Sequence, residues 1–389
     1  MKKLKIAVIG VGNIGFAHAK CLFENKVEGA TLSALCDISL ARREVLSTAF
    51  AGIPVYDDYK KLLADKAAEA VIIAVPHYYH APIAIDCFNA GLNVLTEKPA
   101  GVYTRQAEEM ALAAKKSGKV FGIMFNQRTH PLFAKAREIV KNGELGEKKR
   151  LVWIITNWYR TQEYYNSGGW RGNWKGEGGG VLINQAPHNL DIWQWIFGMP
   201  SKITAFCSVG KYHNIEVEDD ATLYAEYEDG SVATFITSTG EYPGTNPLEI
   251  SGDLGKLVIE NNVLHWWKLD RPERKYCFEA TKDSQAPAVE YTVINNAEKE
   301  TAHRGIIQNF VNSVLYGEEL LAPGTDGIFE LTLSNAAYLS AWTGKTVKLP
   351  FDQKEFETLL FKKAEDSKEY DEKAEHLDSN YNPRWNVRW

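Results

Sequence analysis

Along residues 5–125, short apolar runs alternate with stretches whose apolar residues recur every three or four positions. Lys5–Ile9, Thr31–Cys36, Ala70–Val75, Asn93–Leu95 and Val120–Phe125 read as strands. Asn13–Glu24, Leu40–Phe50, Ala81–Ala90 and Thr104–Ser117 read as helices. Regular strand–helix alternation predicts a parallel sheet with helices on both faces and right-handed crossovers. Beyond residue 126 the period changes. Pro131–Asn142 reads as a helix stopped at Gly143. Alternating, β-branched or aromatic segments follow at Arg150–Trp158, Lys202–Gly210, Ala221–Glu228, Ser231–Ser238, Leu248–Ser251 and Lys256–Glu260. An Asp-Gly pair within "EYEDGSVATF", Glu226–Phe235, marks a hairpin turn. Strands in series joined by hairpins predict a largely antiparallel second sheet. Later helices are expected at His188–Phe197, His303–Tyr316 and Asp326–Ser340. Asp352–Asn382 is dense in Lys, Glu and Asp, and its first half reads as a solvated helix; the final "NPRWNVRW" reads as a docking element.

A chain of 389 residues is long for one core, so the change of texture is taken as a domain boundary, with residues 1–125 in one domain and 126–389 in the other. The formal net charge of −6 gives no reason to expect a nucleic-acid partner. No apolar run reaches the roughly 18 residues of a membrane span. Met1-Lys2-Lys3-Leu4-Lys5 leads straight into "IAVIGVG" with no signal-like region, so the expectation is a cytoplasmic chain. Five scattered cysteines without a Cys-x-x-Cys pair suggest free thiols in a reducing compartment. His77 and His80 have no nearby carboxylate or thiol to complete a metal site, and no metal is expected.

The candidate chemistry begins at Gly10-Val11-Gly12-Asn13-Ile14-Gly15, a G-x-G-x-x-G between a strand and a helix. Gly10 permits the tight turn, Gly12 lets backbone approach a pyrophosphate, and Gly15 lets the helix pack on the strand. The pyrophosphate would lie at the helix N-terminus formed by Asn13 and Ile14. Asp37, 22 residues after Gly15, ends the second strand, where a carboxylate bonds ribose hydroxyls. That carboxylate would repel a 2′-phosphate, which points to NAD, although Arg42 and Arg43 lie one helical turn further on and could reach back.

In "GLNVLTEKPAG", Gly91–Gly101, an apolar strand stops at Glu97, Lys98 and Pro99. Ligands of such sheets bind at the carboxyl ends of strands. Lys98 is therefore directed at the cofactor crevice, and Lys98–Pro99 is a candidate cis bond that would aim it. Val75, Pro76 and His80 of "AVPHYYH" end the preceding strand. Asn126, Gln127, Arg128 and His130 follow the last one and are expected to line the same crevice. Pro187 suits a first helical position, so His188 opens a helix whose dipole keeps imidazole neutral. Asp191 lies one turn on, on the same face, and could supply charge to it.

"GVGNIG", "AVPHYYH", "TEKPAG", "GIMFNQRTHP" and "GGGVLINQAPHNLD", in this order, resemble the Gfo/Idh/MocA oxidoreductases, a family that includes glucose–fructose oxidoreductase and inositol 2-dehydrogenase. The resemblance covers about residues 5 to 260. It implies a Rossmann domain followed by an α/β domain with a large open sheet. It also implies that Lys98 lies beside the nicotinamide against the substrate hydroxyl, and that His188 is the general acid/base. Many members carry an aspartate four residues before that histidine; here the position is Asn184. An amide can orient an imidazole but cannot stabilise imidazolium by charge.

Between the two domains' motifs lies "NWYRTQEYYNSGGWRGNWKGEGGG", Asn157–Gly180, rich in Trp and Tyr, with Arg160 and Arg171. Sugar C–H faces stack on aromatic rings, and sugar hydroxyls suit Arg, Asn and Tyr. Tyr159, Trp170 and Arg171, with Asn126, Arg128, Asn184, His188 and Asp191, are the expected substrate contacts. The expected activity is NAD-dependent oxidation of a secondary hydroxyl of a sugar, cyclitol or related polyol. One rival is redox-assisted glycoside cleavage that recycles its hydride, and another is a non-catalytic NAD-sensing regulator. A second sheet with too few helices to cover both faces predicts a homodimer or homotetramer.

Overall fold

The computed structural model describes residues 3–296 and 301–368. The N-terminal third runs β1 (Leu4–Ile9), α1 (Asn13–Phe23), β2 (Ala30–Cys36), α2 (Leu40–Ala49), β3 (Val55–Tyr56), α3 (Tyr59–Ala64), β4 (Ala70–Ile73), α4 (His80–Asn89), β5 (Asn93–Thr96), α5 (Thr104–Ser117) and β6 (Phe121–Ile123). The six strands form one parallel sheet in the order β3-β2-β1-β4-β5-β6. Strand β4, "AVII", is buried throughout because helices cover both of its faces. Helix ends follow local chemistry: Ser39 accepts from the Arg42 backbone N–H to cap α2, Asp58 caps α3 in the same way, and Gly118 at φ 64° ends α5. The sheet order reverses beside β1, so the carboxyl ends of β1 and β4 part to leave a crevice.

The chain continues through α6 (Pro131–Lys141), β7 (Lys148–Ile155), α7 (Gln162–Asn166), α8 (Pro187–Phe197), β8 (Lys202–Val209), β9 (Glu218–Glu226), β10 (Val232–Ser238), β11 (Leu248–Gly252), β12 (Gly255–Glu260), β13 (Val263–Leu269), α9 (Glu273–Glu279), β14 (Val289–Asn295), α10 (Ala302–Tyr316), α11 (Gly327–Thr343), β15 (Val347–Lys348) and α12 (Gln353–Glu365). Nine strands pair in the order β14-β13-β12-β11-β7-β10-β9-β8-β15. All neighbours are antiparallel except β7 and β10, whose pairing is parallel, so the second sheet is mixed but mostly antiparallel.

Register assigns the two faces. Leu151, Trp153, Leu223, Phe235, Ile250 and Leu257 share one face and are buried in a core completed by Leu190 and Trp193 of α8 and Leu333 and Ala337 of α11. The opposite face carries Phe206 at 72% exposure, Tyr224 at 44% and Tyr291 at 51%. The first core is not built from the N-terminal third alone. Ile306, Ile307, Phe310 and Val311 of α10 belong to it, as do Ala322 and Leu331. The two cores thus interlock, with the crevice between β4, β5, β6 and the start of α8. Among the described residues no helix is long and apolar enough to cross a membrane. The "NPRWNVRW" tail lies outside the described residues.

Candidate active site

At the end of β1 the backbone leaves no room for side chains. Gly10 sits at φ +81°, and a Cβ there would meet the Ala74 carbonyl at 2.7 Å; a Cβ on Gly15 would meet the Gly10 oxygen at 2.0 Å. Gly12 is the N-cap of α1, and Asn13 and Ile14 open a first turn that has no acidic side chain. Its backbone donors and dipole suit a diphosphate. The Asp37 carboxylate accepts from Val11 N at 2.8 Å and Ser39 N at 2.9 Å. Each oxygen keeps acceptor capacity for a ribose hydroxyl. Arg42 and Arg43 do reach back, but to carbonyls: Arg42 Nε donates to Val11 O at 2.6 Å, and Arg43 Nη1 to Asp37 O and Ile38 O.

Further along the crevice, Val75 and Pro76 stand half-buried at the end of β4. At the end of β6 both side-chain atoms of Asn126 and Oε1 of Gln127 are buried without a hydrogen-bond partner. Buried amides are normally satisfied, so this arrangement fits a polar ligand such as a nicotinamide carboxamide and ribose. His80 differs from the expectation. Its ring is buried, with nitrogens 2.7 Å from Pro99 O and 2.7 Å from Val75 O, so it braces the ends of β4 and β5 together instead of presenting itself to a cofactor.

Glu97 and Lys98 point to different neighbours, which explains their adjacency. Glu97 turns back to α1, where His18 Nε2 donates to its Oε1 at 2.7 Å. Burial, the largest single influence, works to raise the Glu97 pKa, but the His18 hydrogen bond and the charges of His18, His303 and Lys98 together outweigh it and hold the carboxylate at about 2. The Lys98–Pro99 bond is cis. The Lys98 ammonium reaches across the crevice and donates to the Asn184 carbonyl at 2.8 Å. Burial lowers its pKa, and the carboxyls of Glu97 and Glu330 only partly oppose this. His188 is the second residue of α8 and is buried. Burial holds its imidazole well below 6.5, and the neighbouring Lys98 and His303 lower it further. A neutral imidazole thus stands within electrostatic reach of an ammonium beside the cofactor crevice. This arrangement can accept a proton and stabilise a negative oxygen.

Two residues expected to serve the imidazole are engaged with other partners. The Asn184 amide faces Glu177 Oε1 and the Tyr164 hydroxyl, the latter at 3.2 Å. Asp191 receives Arg128 Nε at 2.9 Å, Arg128 Nη2 at 2.7 Å and the Gln194 amide at 2.9 Å. Arg128 also donates to Asp326 at 2.7 Å and Leu321 O at 3.1 Å. Arg128 and Asp191 thus leave the substrate wall. Each is charged and fully buried, and such groups persist only when paired with each other.

The aromatic loop divides between core and crevice. Trp174 and Tyr165 are buried; Trp174 packs on Tyr338 and Trp342. Trp170 is half-buried and meets the His77 ring edge-on at 5.2 Å. Arg171 Nη1 donates to the Tyr164 hydroxyl at 2.8 Å. Tyr159 is exposed at the rim, beside Tyr242. The glycine run is a close approach, since a Cβ on Gly180 would meet Glu218 O at 1.9 Å. Glu177, which the sequence did not single out, is buried; it accepts from Gly172 N at 2.6 Å and from Asn184. Burial raises its pKa. Its one sequence signal was a lone acid in a glycine run. His18, His303 and Glu330 gave none.

A dinucleotide cradle joined to a crevice holding a lysine and a neutral histidine defines an NAD-binding oxidoreductase. Comparison with known proteins agrees. Residues 4–125 match the model of the oxidoreductase family with an NAD-binding Rossmann fold, and residues 133–258 match the Gfo/Idh/MocA C-terminal domain. The chain belongs to the Gfo/Idh/MocA oxidoreductase family. It is 26% identical over 363 residues, covering 89% of this chain and 97% of the relative, to the D-glucoside 3-dehydrogenase of Escherichia coli. It is 23% identical over 357 residues to the myo-inositol 2-dehydrogenase of Thermotoga maritima, covering 89% and 98%. The WlbA dehydrogenase of Chromobacterium violaceum, crystallised with NADH and UDP-GlcNAcA, superposes with a TM-score of 0.77 at 27% identity, covering 90% of this chain and 97% of that one.

Proposed function

We propose that the protein oxidises a secondary hydroxyl of a sugar, cyclitol or related polyol, with NAD as hydride acceptor. The observation that carries this reading is that Lys98, held by the Asn184 carbonyl, stands within electrostatic reach of the buried, neutral His188, with the unpaired amides of Asn126 and Gln127 at the end of the neighbouring strand. Bound NAD supplies the hydride acceptor at its nicotinamide ring. His188 takes the hydroxyl proton, since an imidazole already neutral at pH 7 needs no prior deprotonation. Lys98, held by the Asn184 carbonyl, stabilises the negative charge that develops on the same oxygen. The aromatic ring of Trp170 offers a stacking surface for a sugar face. The activities named for the Escherichia coli and Thermotoga maritima relatives support this substrate class. Steady NADH formation over a panel of glycosides, free sugars and cyclitols tests it. Cleavage of a glycoside with neither ketone nor NADH accumulating would favour hydride recycling instead.

The exposed face carrying Phe206, Tyr224 and Tyr291 supports a homodimer or homotetramer formed through the large sheet. Light scattering at micromolar concentration is expected to give a mass above the 43.7 kDa of one chain; a monomer removes that assignment.

A further inference from the structure

Two arginines of the crevice loop make no direct ion pair with a carboxylate. Arg105, Arg128, Arg150, Arg271 and Arg274 each lie within salt-bridge distance of an Asp or Glu. Among the described residues Arg160 and Arg171 form no such pair. Both are instead held by rings. The Arg160 guanidinium carbon is 5.0 Å from the Tyr164 ring centroid and 6.0 Å from that of Trp158. The Arg171 carbon is 4.6 Å from Tyr164 and 4.3 Å from Trp170. Stacking of this kind fixes a guanidinium plane while leaving its edge free.

A guanidinium carries several N–H donors, and the protein engages one on each. Arg160 Nη1 donates to Tyr159 O at 3.0 Å, and Arg171 Nη1 to the Tyr164 hydroxyl at 2.8 Å. Arg160 Nε is buried without a hydrogen-bond partner. Glu177 lies close enough to Arg171 for their charges to interact, but its oxygens accept from Gly172 N and the Asn184 amide and form no ion pair with the guanidinium. Arg171 also belongs to the crevice, and Arg160 stacks on the Tyr164 ring that carries it. The Tyr164 hydroxyl that holds Arg171 also receives the Asn184 amide, and the Asn184 carbonyl holds Lys98. A planar, preorganised pair of guanidinium groups with unused donors matches a carboxylate or phosphate, which accepts bidentate hydrogen bonds from arginine.

We propose that Arg160 and Arg171 form a subsite for an anionic substituent of the substrate, a carboxylate or a phosphate, so that the sugar or polyol oxidised here is an acidic one. This rests on the dehydrogenase reading above and narrows it. Matched probes test it with the full-length protein and NAD: D-glucose, D-glucuronate and D-glucose 6-phosphate, and myo-inositol against its monophosphate. The anionic member of a set is expected to exceed its neutral parent in kcat/KM by at least about tenfold, the size of charge-assisted hydrogen bonding. Preference for glucuronate assigns a carboxylate, and preference for the phosphates assigns a phosphate. Arg160→Gln and Arg171→Gln are each expected to lower the anion-to-neutral ratio about tenfold or more, with Arg171→Lys restoring only part. Neutral parents used as well as the anions, or a ratio that survives both substitutions, overturns the subsite while leaving the dehydrogenase reading intact. If none of the probes is oxidised, calorimetry on the NADH-loaded protein decides. Anion binding that is lost in both variants keeps the subsite and removes the dehydrogenase reading for these sugars. Equal or absent binding of anions and neutral parents overturns the subsite.

Discussion

Replacing Arg128 with Leu removes the centre of the buried Asp191–Arg128–Asp326 triad. Four hydrogen bonds from the guanidinium are lost, two to Asp191 and one each to Asp326 and Leu321 O. Asp326 lies partly open to solvent and can be rehydrated, whereas Asp191 cannot. Breaking a buried pair from one side costs about 3–5 kcal/mol, because the remaining charge is left uncompensated. For a chain of 389 residues the unfolding entropy is on the order of 0.8 kcal/mol/K, so the midpoint should fall by about 4–6 °C. The loss should depend on pH with a defined sign. Without the guanidinium, burial raises the folded-state pKa of Asp191 above its unfolded value. The folded variant then binds the extra proton, and its stability declines relative to wild type as pH rises from about 4 towards the raised pKa. Asp191→Asn in the same background should recover part of the loss. Thermal unfolding at pH 5 and pH 8 measures this, beside sugar KM. An unchanged midpoint with KM raised tenfold or more would refute the reasoning and return Arg128 to the substrate wall.

Asp37→Ala should weaken NAD binding and bring NADP affinity towards it, measured by calorimetry; an unchanged preference would mean that the carboxylate does not set the choice. Lys98→Met should lower kcat on the order of 10²-fold or more while leaving NAD affinity near wild type. In the wild type the alkaline limb of the rate should fall below pH 10.5, because burial lowers the Lys98 pKa and activity is lost as the ammonium deprotonates. Asn184→Asp would set a second carboxyl against Glu177, whose pKa burial already raises. The pair should share a proton at low pH and repel as pH rises. A new alkaline decline in kcat is expected, and an upward move of the acid limb without such a decline would place residue 184 against His188 instead.

Much of the fold was legible because strong periodicity survives without context. The periodicity gives Thr104–Ser117 to the residue, and β1, β2 and α6 to within one. Strands β3 and β15 have two residues each, too few for any pattern. Strands β13 and β14 were missed because their burial is even or sparse, which blurs the alternation. The membership of α10 in the first core was invisible, since a helical stripe says that a face is buried but not against what. The site divided in the same way. Gly10, Asp37, Lys98 and His188 carry motif and strand-end signals. Arg128 and Asp191 looked like crevice residues by position, yet they satisfy each other across 63 positions of sequence, and no local pattern reports such a pairing. Glu177 is defined by contacts with Gly172 and Asn184 that only the folded loop creates.

The central claim is that a neutral, buried His188 takes the substrate proton. Its most direct test is a pair of pH profiles of kcat/KM for NADH formation, wild type against His188→Ala, with a sugar or cyclitol that turns over. Because burial and the charges of Lys98 and His303 lower the imidazole pKa, the wild-type rate should rise with pH to a plateau already reached at neutrality, its acid limb lying below pH 6.5. In His188→Ala that limb should vanish and the plateau drop by about 10²–10⁴-fold. An acid limb that persists unchanged in His188→Ala would show that another group is the base.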